Sequence, residues 1–133
     1  MFLAACAPQP TLEGFDVDEI SVGETTLTVA IATTQEQRSQ GLRGVGSLPD
    51  GLDGMLFVFG EERSATFGME DTLIPLDVWW FDGEGLLLGS TAMEPCSESP
   101  CHSYPSPSEL SWALETPAGE WRFPSGALLT APD

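Results

Sequence analysis

Two strongly apolar segments in the middle of the chain constrain its fold more than any other feature. Residues 54–59 read Gly-Met-Leu-Phe-Val-Phe, and residues 72–82 read Thr-Leu-Ile-Pro-Leu-Asp-Val-Trp-Trp-Phe-Asp. A short, continuously apolar run bounded by turn residues is typical of a strand that is covered on both faces. We therefore predict a central strand over 55–59 and place the core of the protein in the middle third of the chain.

Segments with a period of two predict further strands around this centre. Residues 17–31 alternate between apolar and polar side chains around the turn Gly23-Glu24, which predicts a β-hairpin. Asp82-Gly-Glu-Gly85 predicts a second hairpin turn, and the four prolines within 94–108 predict an irregular loop. The remaining strands are predicted at 65–69, 78–82, 86–90, 110–116 and 127–130.

A single short helix is predicted to interrupt these strands. Thr34 can cap its first turn, and Gln37, three residues later, completes a capping box. The helix is predicted over 35–42, with Gly44 and Gly46 ending it. Seven or eight short strands with one helix are typical of a mainly β fold, and we predict a small antiparallel β-barrel, closed or partly open.

The composition indicates one acidic domain, which we place at residues 15–133. A chain of 133 residues is long enough for one core of ordinary size and too short for two. All four basic residues are arginine and 21 residues are acidic, so the net charge is −17. Nucleic acid and anionic lipid both need a positively charged surface, so we exclude them as direct partners. The same charge favours a monomer.

Residues 1–14 are interpreted as a lipoprotein-type N-terminus followed by a tether. Leu3-Ala-Ala-Cys6 matches the lipobox, a tetrad whose cysteine is lipidated during bacterial lipoprotein processing. We therefore expect an exported protein of the cell envelope that contacts the membrane only through a lipid on Cys6. Five residues before Cys6 are fewer than a signal peptide needs, so either the true start lies upstream or the tetrad is coincidental and Cys6 is an ordinary N-terminal cysteine.

The other two cysteines, Cys96 and Cys101, are predicted to form a disulfide. They lie in a segment rich in turn-forming residues, and their bond would stiffen this loop by about 2 kcal/mol. The alternative is a metal site that includes His102, since thiolate and imidazole both bind zinc. Three ligands at this spacing do not match a zinc site, so we expect no metal and no cofactor.

Several short motifs, taken in order, resemble one family. They are Arg38-Ser-Gln-Gly-Leu-Arg-Gly44, Gly54-Met-Leu-Phe-Val-Phe59, Phe67-Gly-Met69, Thr72-Leu-Ile-Pro-Leu-Asp77, and Leu114-Glu115 with Ala118-Gly119. In order and spacing they resemble domain-of-unknown-function family 192, a family of small prokaryotic domains, over residues 25–130. The resemblance implies a β-rich fold with a short helix near the arginine motif. It implies no catalytic residues, because the family's activity is not established.

Two places in this chain depart from the family's pattern. Gly68 stands where the family usually has a tryptophan, and Glu70-Asp71 stands where it commonly has Lys-Asn. If these positions line a ligand site, the resemblance implies that the size and charge of the site are changed here.

Arg38 and Asp77 are predicted to form an ion pair at the margin of the core. Leu42 lies one helical turn beyond Arg38 and shares its face, so the arginine borders the core and needs an acidic partner. Asp77, between Pro75 and the aromatic run, is the natural partner. The pair is either structural, with neither partner removable alone, or part of a functional pocket.

Trp79, Trp80 and Phe81 are consecutive, and consecutive strand residues point to opposite faces of a sheet. These rings are therefore either buried on both sides or partly exposed as a platform for a sugar or a peptide. The residues that we assign to the binding hypothesis are Arg38, Asp77, Trp79, Trp80, Glu70 and Thr72.

These observations favour a non-catalytic binding module for a small molecule, a sugar or a protein partner. The alternative is a carboxylate-dependent hydrolase that uses Asp77, Glu70 or Glu115 as its acid–base group. Such an enzyme requires two acids in one cleft whose proton affinities are separated by their surroundings. A binding module requires instead an exposed aromatic surface without that pair.

Overall fold

The computed structural model describes residues 12–131, so the prediction of a lipidated Cys6 lies outside the described residues. Within that range the chain forms nine strands and one short helix, which confirms a mainly β fold. The elements are β1 (Asp16–Val22), β2 (Thr25–Ala32), α1 (Gln35–Gln40), β3 (Gly54–Arg63), β4 (Thr66–Gly68), β5 (Leu76–Phe81), β6 (Leu87–Met93), β7 (Ser103–Pro105), β8 (Leu110–Pro117) and β9 (Leu129–Thr130).

Seven of these strands form one curled sheet in the order β6-β5-β8-β3-β2-β1-β9. β3 lies at its centre, as predicted for residues 55–59. The two edges approach each other at an isolated bridge between Leu86 and Leu128, where the backbone N–H of Leu129 donates to the carbonyl of Gly85 at 2.8 Å. The sheet is therefore a curled half-barrel that stays open, and the closed alternative of the predicted barrel does not describe it.

The expectation of a purely antiparallel arrangement is wrong at one place, because β2 and β3 run parallel. Parallel neighbours cannot be joined by a tight turn and need a crossover of about a dozen or more residues. Residues 33–53, which include α1, form that crossover and return the chain to the same end of the sheet. The pattern of the sequence predicted every strand except β7, but it carries no information on the direction of a strand's neighbour.

The helix α1 begins with the predicted capping box. The Thr34 hydroxyl accepts a hydrogen bond from the backbone N–H of Gln37 at 3.0 Å, and the Gln37 side chain accepts one from the N–H of Thr34 at 3.2 Å. The helix ends earlier than predicted, at Gln40, because Gly41 adopts a φ of 48°. A Cβ at this glycine would lie 3.5 Å from the Phe57 ring, so the chain turns directly over that ring.

Alternation along the strands divides the core into two clusters on the two faces of the sheet. The first contains Phe57, Trp80 and other buried residues, and the second contains Trp79 and Phe81. Trp79 donates from Nε1 to the Thr116 hydroxyl at 3.2 Å. Both tryptophans are buried, with 8% and 5% of their surface exposed. Burial on both sides is thus confirmed, and an exposed aromatic platform at these residues is wrong.

A second, two-stranded sheet of β4 and β7 covers part of the first face. The predicted disulfide joins Cys96 to Cys101 beside this small sheet. The backbone of Cys96 also forms an isolated parallel β-bridge with that of Glu70. Residues 94–108, predicted to be wholly irregular, contain β7, whose Tyr104 pairs with Phe67. No helix among the described residues is long and apolar enough to cross a membrane.

The backbone of β8 passes so close to Gly54 in β3 that a side chain at this position should destabilise the fold. A Cβ at Gly54 would overlap the carbonyl oxygen of Glu115, whereas a Cβ at Gly89 in β6 would meet open space. We expect Gly54→Ala to lower the free energy of unfolding by about 1–3 kcal/mol, because the two strands must move apart. Gly89→Ala is the matched control and should leave stability unchanged or slightly raised.

Urea denaturation of both variants measures the difference. Equal stabilities of the two variants would show that β3 and β8 do not approach each other closely at Gly54.

Candidate functional site

A pocket of about 530 Å³ opens on the first face of the sheet. One side of the pocket is formed by α1, the turn after it and the second half of β3. The β4–β7 sheet and the segment between β4 and β5 form another side, and β8 contributes one residue. Pockets of a few hundred cubic ångströms are typical of small-molecule sites. The residues that line it divide into apolar walls, a cationic mouth and a carboxyl group at the floor.

The apolar walls consist of three phenylalanines together with Leu42. Phe57 and Phe59 project from the same face of β3, since they are two residues apart in a strand. Phe67 packs edge-on against both, with ring centroids 5.9 Å from Phe57 and 6.3 Å from Phe59. Trp80 lies behind Phe67 at 6.4 Å and does not line the pocket. The walls are therefore a rigid aromatic cluster, supported from inside the core.

Three arginines, Arg38, Arg43 and Arg63, line the pocket and form what we call its cationic mouth. The guanidinium carbons of Arg38 and Arg63 lie over the Phe59 ring, 5.2 Å and 5.0 Å from its centroid. Stacking on an aromatic face suits the flat guanidinium group and keeps its edges available for ligands. Arg63 follows a register shift between Val58 and Arg63 in the β3–β8 pairing, and such irregularities re-aim side chains.

Arg38 is fixed more firmly than the other two arginines. Its Nη1 donates to the carbonyl of Thr33 at 2.7 Å and to the carbonyl of Val58 at 2.9 Å. Partial burial, and then the positive charge of Arg63, lower the pKa of Arg38. Two like charges held on one ring oppose each other, and an anion between them would relieve that repulsion.

Glu115 provides the carboxyl group at the floor of the pocket. It is 5% exposed, and its cross-strand neighbours are Met55 in β3 and Val78 in β5, both fully buried. Within residues 12–131 the carboxyl group makes no hydrogen bond. Burial away from water raises the pKa of Glu115 to about 8, so at neutral pH it is an uncharged acid with an O–H group to donate.

Glu70 and Thr72 also line the pocket, on the segment between β4 and β5. Thr72 is buried, and its hydroxyl donates to the Glu70 carbonyl at 3.4 Å. The Glu70 carboxylate lies directly against Gly68, in the space that a side chain at position 68 would need. Gly68 therefore makes room for the Glu70 carboxylate, and both Gly68 and Glu70, where the chain departs from the family's pattern, line the same cavity.

The predicted pair of Arg38 and Asp77 is wrong. The Asp77 carboxylate accepts a hydrogen bond from the backbone N–H of Gly119 at 2.9 Å and does not line the pocket. Strand β8 separates β5 from β3 in the sheet. Asp77 and Trp79 are two residues apart in β5, so their side chains lie on the same face, and Trp79 packs in the second cluster. Asp77 therefore lies on the face of the sheet opposite the pocket. Arg38 obtains its partners from backbone carbonyls instead of from an acid.

Of the six residues assigned to binding from the sequence, the structure brings Arg38, Glu70 and Thr72 to the pocket and leaves out Asp77, Trp79 and Trp80. The sequence reasoning missed Arg43, Arg63 and the phenylalanine walls. Scarcity of positive charge was the signal that could have found the arginines. In a chain with four cations, each one beside an apolar segment is a candidate for a specific role.

Metal binding finds no support in the same part of the chain. Among residues 12–131 no three His, Cys, Asp or Glu side chains are grouped so that they could hold a metal ion. Cys96 and Cys101, the only cysteines in that range, are joined to each other.

Comparison with known proteins assigns the chain to a family. Residues 18–123 match domain-of-unknown-function family 192 (DUF192), described as an uncharacterized ACR. The chain belongs to this family. No curated protein matches it.

Two solved structures share the fold. One is a candidate transcription regulator from Sinorhizobium meliloti 1021, with a TM-score of 0.75 and 25% identity, covering 86% of this chain and 93% of that chain. The other is a protein of unknown function from Novosphingobium aromaticivorans DSM 12444, with a TM-score of 0.77 and 22% identity, covering 96% and 94% of the two chains. The second likeness shows the fold alone.

The burial of Glu115 predicts that stability falls as pH rises. The unfolded chain loses this proton near the ordinary pKa of 4.5, whereas the folded state keeps it until about pH 8. Between these values the folded state binds more protons, so raising the pH favours unfolding. From about pH 6 to pH 8 we expect the free energy of unfolding of wild type to fall by about 2 kcal/mol relative to that of Glu115→Gln, because glutamine has no proton to lose.

Urea denaturation of both proteins at several pH values measures this difference. Glu120→Gln, which removes an exposed carboxyl group close in sequence, is the control for net charge. The same pH trend in both variants relative to wild type would assign the effect to overall charge and not to burial of Glu115.

Proposed function

We propose that this chain is an exported, lipid-anchored, non-catalytic binding domain whose pocket takes a small organic anion. One observation carries the choice of ligand. Three of the four arginines line one pocket, in a chain whose net charge is −17. The net negative charge of the protein repels anions in general. Three arginines at one pocket mouth create a local positive charge that can attract an anion there.

The chemistry of the mouth supports the same choice. A guanidinium group presents several N–H donors in a plane that matches a carboxylate or a phosphate. Arg63 makes no hydrogen bond within residues 12–131, and Arg38 uses only Nη1 for the backbone. Their remaining N–H groups are available to a ligand that enters from solvent.

The phenylalanine walls favour a small molecule over a sugar or a protein partner. Sugars and peptides usually stack on exposed aromatic rings, and Trp79 and Trp80 are buried in this fold. Large exposed apolar patches mark protein partners, whereas the apolar surface here lies inside a concave pocket.

A hydrolase is the second candidate, because Glu70 and Glu115 line the same pocket and burial raises the pKa of one of them. Asp77 drops out of this alternative, since it lies on the other face of the sheet. A hydrolase would turn over activated esters or glycosides of organic acids, and a binding domain would not. Incubation with 4-nitrophenyl esters and glycosides therefore separates the two candidates, and release of 4-nitrophenol that stops in Glu115→Gln would favour the enzyme.

DNA binding forms no part of the proposal. The Sinorhizobium meliloti protein is described as a candidate transcription regulator. For this chain a net charge of −17 opposes approach to a phosphate backbone, and three arginines around a pocket do not make an extended basic surface.

The arginines allow a matched test of anion binding. Arg63→Ala and Arg122→Ala each remove one positive charge, but only Arg63 lines the pocket. Titration calorimetry with a panel of organic anions and neutral sugars should detect the anions. We expect Arg63→Ala to weaken anion binding about tenfold through loss of a charge-assisted contact, and Arg122→Ala to leave it within about twofold.

Equal weakening by the two variants would show that net charge, and not the pocket, governs the affinity. Binding of neutral sugars in preference to anions would overturn the choice of ligand.

Export and lipid anchoring rest on Leu3-Ala-Ala-Cys6 and are supported by the Cys96–Cys101 disulfide, since structural disulfides persist in oxidising compartments. We expect the full native chain, produced in bacteria fed an alkyne fatty acid, to carry the label and to fractionate with membranes. Cys6→Ser should lose both properties. Labelling that persists in Cys6→Ser would show that the lipid is attached at another residue. Absence of the label from wild type would show that the chain is not lipid-anchored.

A further inference from the structure

A mouth lined with arginines explains why the pocket attracts an anion, but it does not explain the carboxyl group at the floor. Glu115 is 95% removed from solvent, lines the cavity and has no hydrogen-bond partner within residues 12–131. The buried side-chain atoms of residues 12–131 that lack any partner are Trp80 Nε1 and Trp121 Nε1, so the Glu115 carboxyl group is not sealed off but opens onto the cavity. A carboxyl group that no protein group engages, and that faces a cavity from an apolar sheet interior, is placed to hydrogen-bond whatever enters that cavity.

We propose that the ligand is a small aromatic carboxylic acid bound in one orientation, with its carboxylate at Arg38 and Arg63 and a neutral hydrogen-bond acceptor at its other end receiving the O–H of Glu115. The proposal rests on the proposed function and specifies its ligand. It assigns Glu115 a role in positioning and selecting the ligand, without any bond being made or broken.

The distribution of charge fixes the orientation. Every positively charged residue that lines the pocket is an arginine of the mouth: Arg38, Arg43 and Arg63. Glu70 is the one other acidic residue lining the pocket, and the cross-strand neighbours of Glu115 are Met55 and Val78, which carry no charge. A carboxylate placed at the floor would face an acid in an apolar environment with no cation beside it, whereas at the mouth it meets guanidinium groups.

The walls between mouth and floor specify the body of the ligand. Phe57, Phe59 and Phe67 line the cavity, so the surface offered to the body of a ligand is largely aromatic, and a further aromatic ring packs favourably against such a surface. Gly41 adds no side chain to the wall beside the Phe57 ring, where a Cβ would lie 3.5 Å from it. A flat ring with a carboxylate at one end and an acceptor at the other matches an apolar cavity that is lined by exposed or half-buried arginines and by one buried carboxyl group.

Protonation gives this arrangement a signature that a simple apolar pocket would not have. Below the raised pKa of Glu115, about 8, the floor donates a hydrogen bond, and above it the floor is a carboxylate that repels an acceptor. Affinity for a ligand with an acceptor should therefore fall as pH rises through this value. The contribution of the mouth is measured independently with Arg63→Ala, so a change in the floor can be separated from a change in the mouth.

Two probes of nearly equal shape test the proposal. 4-Acetylbenzoate carries a carbonyl acceptor opposite its carboxylate, and 4-isopropenylbenzoate replaces that oxygen with a CH₂ group. At about pH 6.5 we expect wild type to bind 4-acetylbenzoate about tenfold more tightly, the worth of one buried hydrogen bond. At about pH 9.5 the preference should disappear.

Two variants at Glu115 separate donation from packing. Glu115→Gln keeps a donor that does not titrate, so it should prefer 4-acetylbenzoate at both pH values. Glu115→Met keeps the approximate size without a donor and should show no preference at either pH. Circular dichroism and urea denaturation establish that both variants are folded before titration.

The outcomes distinguish this inference from the proposed function. Equal binding of the two acids by wild type at about pH 6.5, with both weakened by Arg63→Ala, overturns the role of Glu115 and leaves anion binding in place. Arginine-dependent binding of other anions, but of neither benzoate, overturns the aromatic acid as the ligand class. If no anion binds in an arginine-dependent way, both proposals fall.

Discussion

The antiparallel pairing of β3 with β8 is the contact on which the pocket depends. Gly54 lets the two backbones approach so closely that no side chain fits between them, and this approach sets the register in which Met55 opposes Glu115. The same register places Phe57 and Glu115 on one face of the sheet. If the pairing slipped by one residue, the carboxyl group would move to the opposite face, where Leu114 now packs against the second cluster.

The site combines two kinds of group that the rest of the molecule keeps apart. Most acids lie on the surface, where water solvates them, yet Glu115 lies inside the sheet and remains protonated because burial raises its pKa. The net charge is −17, yet three arginines gather at one opening and two of them stack on the same ring. Both arrangements cost stability in the empty protein, through desolvation in one case and like-charge repulsion in the other. A bound acid would offset both costs, because its carboxylate would reduce the repulsion between the arginines and its acceptor would hydrogen-bond Glu115.

The sequence predicted most of the strands and the helix, but it did not predict which strands lie next to each other in the sheet. The hairpin of β1 and β2, the capping box of Thr34 and Gln37, and the Cys96–Cys101 disulfide follow from local patterns, and the structure contains all three. The pairing of Arg38 with Asp77 required knowledge that β8 inserts between β3 and β5, a contact between segments far apart in the chain. Glu115 was named only as one of three candidate acids, because nothing in its local sequence reveals that Met55 and Val78 flank it.

The sequence by itself determined the class of fold, the family, the position of the core and the scarcity of cations, because periodicity, motif spacing and composition are local or additive properties. Only the tertiary structure decided which arginines share a ring, which acid is buried, and that the tryptophans face the interior. The physical reason is that a strand's own residues fix the alternation of its side chains, whereas strand order and direction follow from long-range packing. The pocket arises where that packing brings α1, β3 and β8 together.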